Sequence, residues 1–185
     1  MPVLPDFTET QLSSEEIFNG RIVHLYRDTV RLPNGHTSVR EVARHPGAVC
    51  VLPLDGDDRA CMVRQFRYPY ARVLLEAPAG KLDPGESPLT GGMRELSEET
   101  GVTAAEWIPL GQFYPAPAAS DEVIHLFLAR GLSGGACHPD EDEFLASSFE
   151  PLGELVDQIM NGDIRDGKTI AIVLKAQRFL EKERA

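Results

Sequence analysis

Apolar positions along the chain switch between two spacings, and the switches mark its elements. In Arg21–Leu32 and His36–Arg44 apolar and polar residues interleave at strand spacing around Asn34-Gly35, a pair suited to a hairpin turn. Ala48–Leu54 and Ala60–Phe66 are apolar runs of strand length, with Asp55-Gly56-Asp57-Asp58 turning between them. Val73–Glu76 reads as a short strand, and Trp107–Phe113, Glu122–Ala129 and Phe144–Pro151 as later ones. A turn-rich connection is expected over Gly131–Asp140, followed by the acidic run to Glu143. Helical spacing predicts α-helices over Pro88–Thr100, Leu152–Met160 and Lys168–Lys182. In the last of these Ile170, Ile172, Val173, Leu174, Ala176 and Leu180 give a broad buried face. For the first, Ser87 suits the N-cap, Pro88 the first turn and Gly101 the C-terminal cap. Gly91 and Gly92 fall inside that helix, where small residues permit a neighbouring strand to come close. Strands on both sides of a central helix, with further helices near the end, fit an α/β sandwich.

Pro46-Gly47 separates an N-terminal β unit, residues 1–46, from a main domain, residues 47–185. A two-stranded hairpin cannot bury its own faces, so it must pack on the following domain, on a partner chain, or on both. The chain's 185 residues accommodate one such domain with an appendage. A net charge of −11 argues against non-specific nucleic-acid or membrane binding. Three cysteines, Cys50, Cys61 and Cys137, lack metal-ligand spacing. Buried free thiols are expected at Cys50 and Cys61, and a reducing cytoplasm follows. Neither a signal peptide nor a membrane span is expected.

The chemistry concentrates in Gly80–Val102. On a helix Glu95, Glu98 and Glu99 stand at i, i+3 and i+4, so three carboxylates emerge on one face. They repel one another, and as hard oxygen donors they suit Mg²⁺ or Mn²⁺. Three glutamates alone would read more simply as a solvated acidic face. The full spacing decides against that: G-x5-E-x7-R-E-L-x-E-E-x-G-V, from Gly80 through Glu86, Arg94, Glu95, Leu96, Glu98 and Glu99 to Gly101 and Val102. It resembles the signature box of the Nudix hydrolases at each fixed position.

That resemblance implies a Nudix α/β/α sandwich with a mixed sheet, the box forming a loop–helix–loop, plus an N-terminal antiparallel β-hairpin or sheet unit. It implies divalent ions on Glu95, Glu98 and Glu99, with Glu98 and Glu99 serving catalysis and the backbone carbonyl of Ala79 assisting. Gly80, Glu86, Arg94 and Gly101 are expected to shape the box, with Arg94 and Glu86 pairing to pin the loop on the helix. Outside the box, Gln65-Phe66-Arg67-Tyr68, Leu75–Gly80, Tyr114–Pro117, Ser120–Glu122 and Asp166–Ile170 resemble the ADP-ribose pyrophosphatase group. Pro117, sixteen residues after Gly101, has the placement associated with ADP-ribose, although Ala118 replaces that group's usual glycine. Arg67 is a candidate diphosphate contact or a surface ion pair, and Glu76 a candidate adenine or ribose contact. A late-loop glutamate serves as base in that group, and Glu143 matches it best, with Glu141 the close competitor.

The expected reaction is Mg²⁺-dependent hydrolysis of ADP-ribose to AMP and ribose 5-phosphate. The alternatives are another nucleoside diphosphate sugar, such as GDP-mannose or ADP-glucose, or a non-catalytic regulatory module that binds nucleotide. The complete glutamate set and the absence of a basic helix-turn-helix favour the enzyme. A homodimer is expected, because a comparable N-terminal sheet is swapped between subunits in the subfamily.

Overall fold

The computed structural model describes residues 5–134 and 144–185, which divide into two units. In the first, β1 (Thr10–Asn19), β2 (His24–Arg31) and β3 (Thr37–Arg44) form an antiparallel sheet in that order. The expected hairpin is β2–β3. Gly35 takes φ +85° in its turn, and the Leu32 N–H donates to the His36 carbonyl at 2.8 Å. The third strand, β1, corrects the two-stranded expectation. Its ten residues are exposed along their whole length, so no inward-facing alternation announced it. Asp28, buried on β2, joins all three strands by accepting from Ser14 Oγ at 2.6 Å and Arg44 Nη2 at 2.9 Å. The segment Tyr114–Glu122, distant in sequence, completes the unit: Ala43 N–H donates to Ala119 at 2.8 Å and His45 N–H to Asp121 at 2.8 Å.

The second unit carries β4 (Ala48–Pro53), β5 (Arg59–Arg67), β6 (Arg72–Glu76), β7 (Ala79–Lys81), α1 (Pro88–Thr100), β8 (Val102–Phe113), β9 (Ile124–Gly134), β10 (Leu145–Pro151), α2 (Leu152–Met160) and α3 (Gly167–Glu183). One sheet runs β7-β4-β9-β8, with β4 and β9 parallel and the other pairs antiparallel; the second is antiparallel, β10-β5-β6. Every residue of β4 is buried because both of its faces are covered. Ala48, Cys50 and Leu52 face the core made with Leu155 of α2 and with Ile172, Val173 and Ala176 of α3. Val49 and Val51 face Leu96 of α1 and Val102. The architecture is the mixed-sheet α/β fold with helices on both faces.

In the second unit the largest departures from the sequence reading fall at β7, β8 and the end of β9. β7 is a strand where a lead-in loop was expected, and three residues are too few to show a period. β8 starts at Val102, directly after the helix cap. β9 runs to Gly134, past the expected end at Ala129. Gly131, at φ +66°, allows close approach to Ala105, whose Cβ would lie 3.1 Å from a Cβ at that position. There the glycine marks a crowded crossing and not a strand end.

Gly91 and Gly92 each cost α1 about 1 kcal/mol relative to Ala. Burial of Leu96 offsets this by about 1.5–3 kcal/mol. Packing therefore decides the helix. A Cβ on Gly92 would lie 3.3 Å from Val49 Cγ2 and from Trp107 Cζ3, so the small residue does admit β4 and β8 closely.

Candidate active site

The box helix is framed as its sequence predicts. Ser87 is the N-cap and accepts from the Thr90 N–H at 3.2 Å; Pro88 opens the helix, and Gly101 closes it at φ +69°. This start and stop set the rotation of α1, which places Glu95, Glu98 and Glu99 on one face beside β7. Ala79 N–H donates to Glu99 Oε2 at 3.1 Å. Gly80 lies against Glu95 so closely that a Cβ there would overlap the carboxylate, so any larger residue would displace the Glu95 side chain from this position.

Arg94 organises the acidic groups. Its Nε and Nη2 donate to the two oxygens of Glu86, each at 3.0 Å, a planar fork that no lysine reproduces. Its Nη1 donates to Glu95 at 2.8 Å and to Glu98 at 2.9 Å, and Nη2 also reaches the Lys81 carbonyl at 3.0 Å. The hydrogen bond from Arg94 and a second from the Asp83 N–H hold the Glu86 carboxyl below the usual range. Glu86, with Glu95 and Glu98, raises the Arg94 guanidinium above its ordinary value, against the opposing effect of burial.

Among the described residues no three His, Cys, Asp or Glu groups close around a single point. Arg94 engages Glu95 and Glu98, and Glu99 turns to Ala79. The donor set nevertheless suits a hard divalent cation: three carboxylates and the adjoining Ala79–Gly80 backbone supply oxygen, and Gly80 keeps the space beside Glu95 clear of side chain.

A second ionic group joins β5, β6 and the start of α3. Glu76 is 1% exposed and takes a two-pronged bond from Arg67, Nε and Nη2 each at 2.7 Å. Lys168 Nζ also donates to Glu76, and to Asp166 at 2.9 Å. Asp166 caps α3 by accepting from Thr169 N–H at 3.1 Å and Thr169 Oγ1 at 2.6 Å. The buried Thr169 hydroxyl in turn accepts from the Ala77 N–H at 2.8 Å. Through these bonds α3 holds the segment that leads into Ala79 and the box.

Burial alone would raise the Glu76 carboxyl; Arg67 and Lys168 overcome it and lower it below the ordinary value. Burial would likewise lower the Lys168 ammonium, but Asp166 and Glu76 hold it high. Because Glu76 titrates lower in the folded than in the unfolded chain, its stabilisation is complete above about pH 4.3 and is lost as pH falls through the folded value. Urea midpoints are therefore expected to drop more steeply with acid below pH ~4.3 in the wild type than in Glu76→Gln. At neutral pH the variant should lose about 2–3 kcal/mol, less than a fully buried pair because Arg67 is partly exposed. Equal acid slopes would remove Glu76 from this role.

Glu76 and Arg67 thus face each other, and Glu76 presents its carboxylate inward. Pro117 belongs to the first unit, in the turn where Ala119 and Ser120 N–H groups donate to Ala116. There Pro117–Asp121, Glu9, Arg40 and Val42 line a cavity of about 370 Å³. Glu143 and Glu141 lie outside the described residues, as does Cys137. Cys50 and Cys61 are buried free thiols as expected, and burial pushes the Cys50 thiol far up, leaving it inert. Lys168 was missed as a site residue. The signal was present: a cation in the first turn of a helix opposes the macrodipole, so it calls for a local carboxylate partner. No described helix is long and apolar enough to cross a membrane.

Comparison with known proteins agrees with this geometry. The NUDIX domain family matches residues 43–171, and the family described as nucleoside diphosphate sugar hydrolase N-terminal domain matches residues 9–43. The chain is 43% identical over 169 residues to a methanol dehydrogenase activator of Bacillus methanolicus, covering 90% of this chain and 91% of that protein. It is 41% identical over 163 residues to an ADP-ribose pyrophosphatase of Bacillus subtilis, covering 87% and 88%. A GDP-mannose pyrophosphatase of Pectobacterium atrosepticum is 32% identical over 186 residues, covering 92% and 93%. Among solved structures, an ADP compounds hydrolase superposes with a TM-score of 0.86 at 23% identity, covering 97% of this chain and 98% of that one; this likeness concerns the fold.

Proposed function

The chain belongs to the NUDIX hydrolase family, and from that premise we propose that it hydrolyses ADP-ribose to AMP and ribose 5-phosphate with Mg²⁺ or Mn²⁺. The observation that carries this reading is the acidic face of α1, held by Arg94 and Glu86 against the Ala79–Gly80 backbone. Glu95, Glu98, Glu99 and the Ala79 carbonyl are the proposed metal donors. A divalent cation bound there lowers the pKa of water and neutralises diphosphate charge. Arg94 keeps Glu95 and Glu98 in position. Arg67, oriented by its fork to Glu76, has Nη1 left to contact the diphosphate. Pro117, sixteen residues after Gly101, is the residue whose placement goes with ADP-ribose specificity. Glu143 accepts the proton from the water whose oxygen attacks phosphorus; the P–O bond of the diphosphate breaks and the leaving phosphate oxygen departs on ribose 5-phosphate or AMP.

The relatives at 41% and 39% identity named ADP-ribose pyrophosphatase support this substrate. A second reading, a GDP-mannose hydrolase, draws support from the relatives at 32% and 33% identity. The relative named as an activator does not shift the reading toward a regulatory module, because every box glutamate is present here. A panel of nucleoside diphosphate derivatives, with products separated and quantified, tests it. ADP-ribose should give the highest kcat/KM, and a clear preference for GDP-mannose would replace it.

We also propose a cytoplasmic homodimer built through the N-terminal sheet. Leu12, Ile17, Phe18 and Val39 are exposed on that sheet, apolar side chains that a partner copy would cover. Cutting at Pro46 would strip Tyr114–Glu122 of its partner strand, so substitution is the cleaner test. The full chain is expected at twice 20.3 kDa in solution, and Ile17→Lys/Phe18→Lys at 20.3 kDa. A monomeric wild type at micromolar concentration would overturn the dimer.

A further inference from the structure

Beside the Glu76 group, Tyr70, Arg72, Leu74, Arg165, Asp166 and Gly167 line a cavity of about 310 Å³, the lower end of the range for small-molecule sites. Its charge is unbalanced. Arg67 and Lys168 are matched by Glu76 and Asp166, and Asp166 spends its carboxylate on Lys168 and Thr169. Arg72 and Arg165 remain, and among the described residues neither pairs with a carboxylate. Two uncompensated guanidinium groups share one cavity in a chain of net charge −11.

Their placement concentrates positive charge at the cavity. Arg72 stands directly opposite Arg67 across the β5–β6 ladder, a like-charge pair that destabilises a sheet. Residue 71, the left-handed Ala71 at φ +49°, turns the chain between Tyr70 and Arg72 and sets both at the cavity. Arg165 is oriented by donating from Nε to the Gly162 carbonyl at 2.8 Å, which leaves its terminal nitrogens available. The positive end of the seventeen-residue α3 adds to the field at Gly167.

We propose that this cavity binds the phosphate monoester of a sugar or nucleoside. The two guanidinium groups hold the dianion, and the sugar lies against Tyr70 and Leu74. Guanidinium forks match phosphate oxygens in charge and geometry, and the volume exceeds what a bare phosphate needs. The proposal goes beyond the hydrolytic reading and does not depend on it.

Calorimetric titration of the full chain with ribose 5-phosphate, in chelator, tests it. Without divalent ions the glutamate face repels a dianion, so the measurement reads this cavity even if the chain hydrolyses nothing. Saturable binding is expected for ribose 5-phosphate and none for ribose. Arg72→Gln/Arg165→Gln should weaken it at least about tenfold, and Arg72→Lys/Arg165→Lys should restore part of it. Both side chains are exposed, so an unchanged thermal midpoint confirms that the variants fold. No binding by the wild type, or equal affinity in the glutamine variant, overturns the proposal.

Discussion

Chelation of divalent ions is expected to abolish ADP-ribose hydrolysis, and Glu99→Gln to lower kcat by about 10³-fold with the fold unchanged. Glu99 is 3% exposed and accepts from the Ala79 N–H through Oε2. A glutamine keeps the shape and one acceptor oxygen but loses the charge that a cation needs. The fold should survive both treatments because Arg94 already holds Glu95 and Glu98 by hydrogen bonds from within the protein, with no cation needed to position them. Rate against Mg²⁺ concentration, with far-ultraviolet circular dichroism as the control for folding, separates chemistry from collapse. Full activity in chelator would sink the metal-dependent mechanism.

Glu143→Gln is expected to lower kcat by about 10²–10⁴-fold while KM changes little, the pattern of a lost general base. The box glutamates are engaged with Arg94, with Ala79 and, in the proposed state, with metal, so the proton acceptor should come from elsewhere. Glu141 is two residues away in the same acidic run and is the necessary control. Steady-state kinetics of both variants decides the matter. A crippled Glu141→Gln beside a nearly normal Glu143→Gln would move the role to Glu141.

What the chain determined by itself was the part governed by neighbours within a few residues. Ser87, Pro88 and Gly101 bracket α1 because capping is local chemistry, and the i, i+3, i+4 spacing then puts three glutamates on one face whatever surrounds them. Leu152–Met160 was likewise legible to the residue, since its helical period is strong. The tertiary structure decided the rest. β1 has no buried face to print a pattern, β7 is too short to have one, and Tyr114–Glu122 joins the N-terminal sheet through partners some 76 residues away. Glu76 shows most plainly why. Its sequence neighbourhood allows a substrate contact, but its partner Lys168 arrives from 92 residues downstream. A carboxylate's role depends on which cation reaches it, and folding alone brings that cation there.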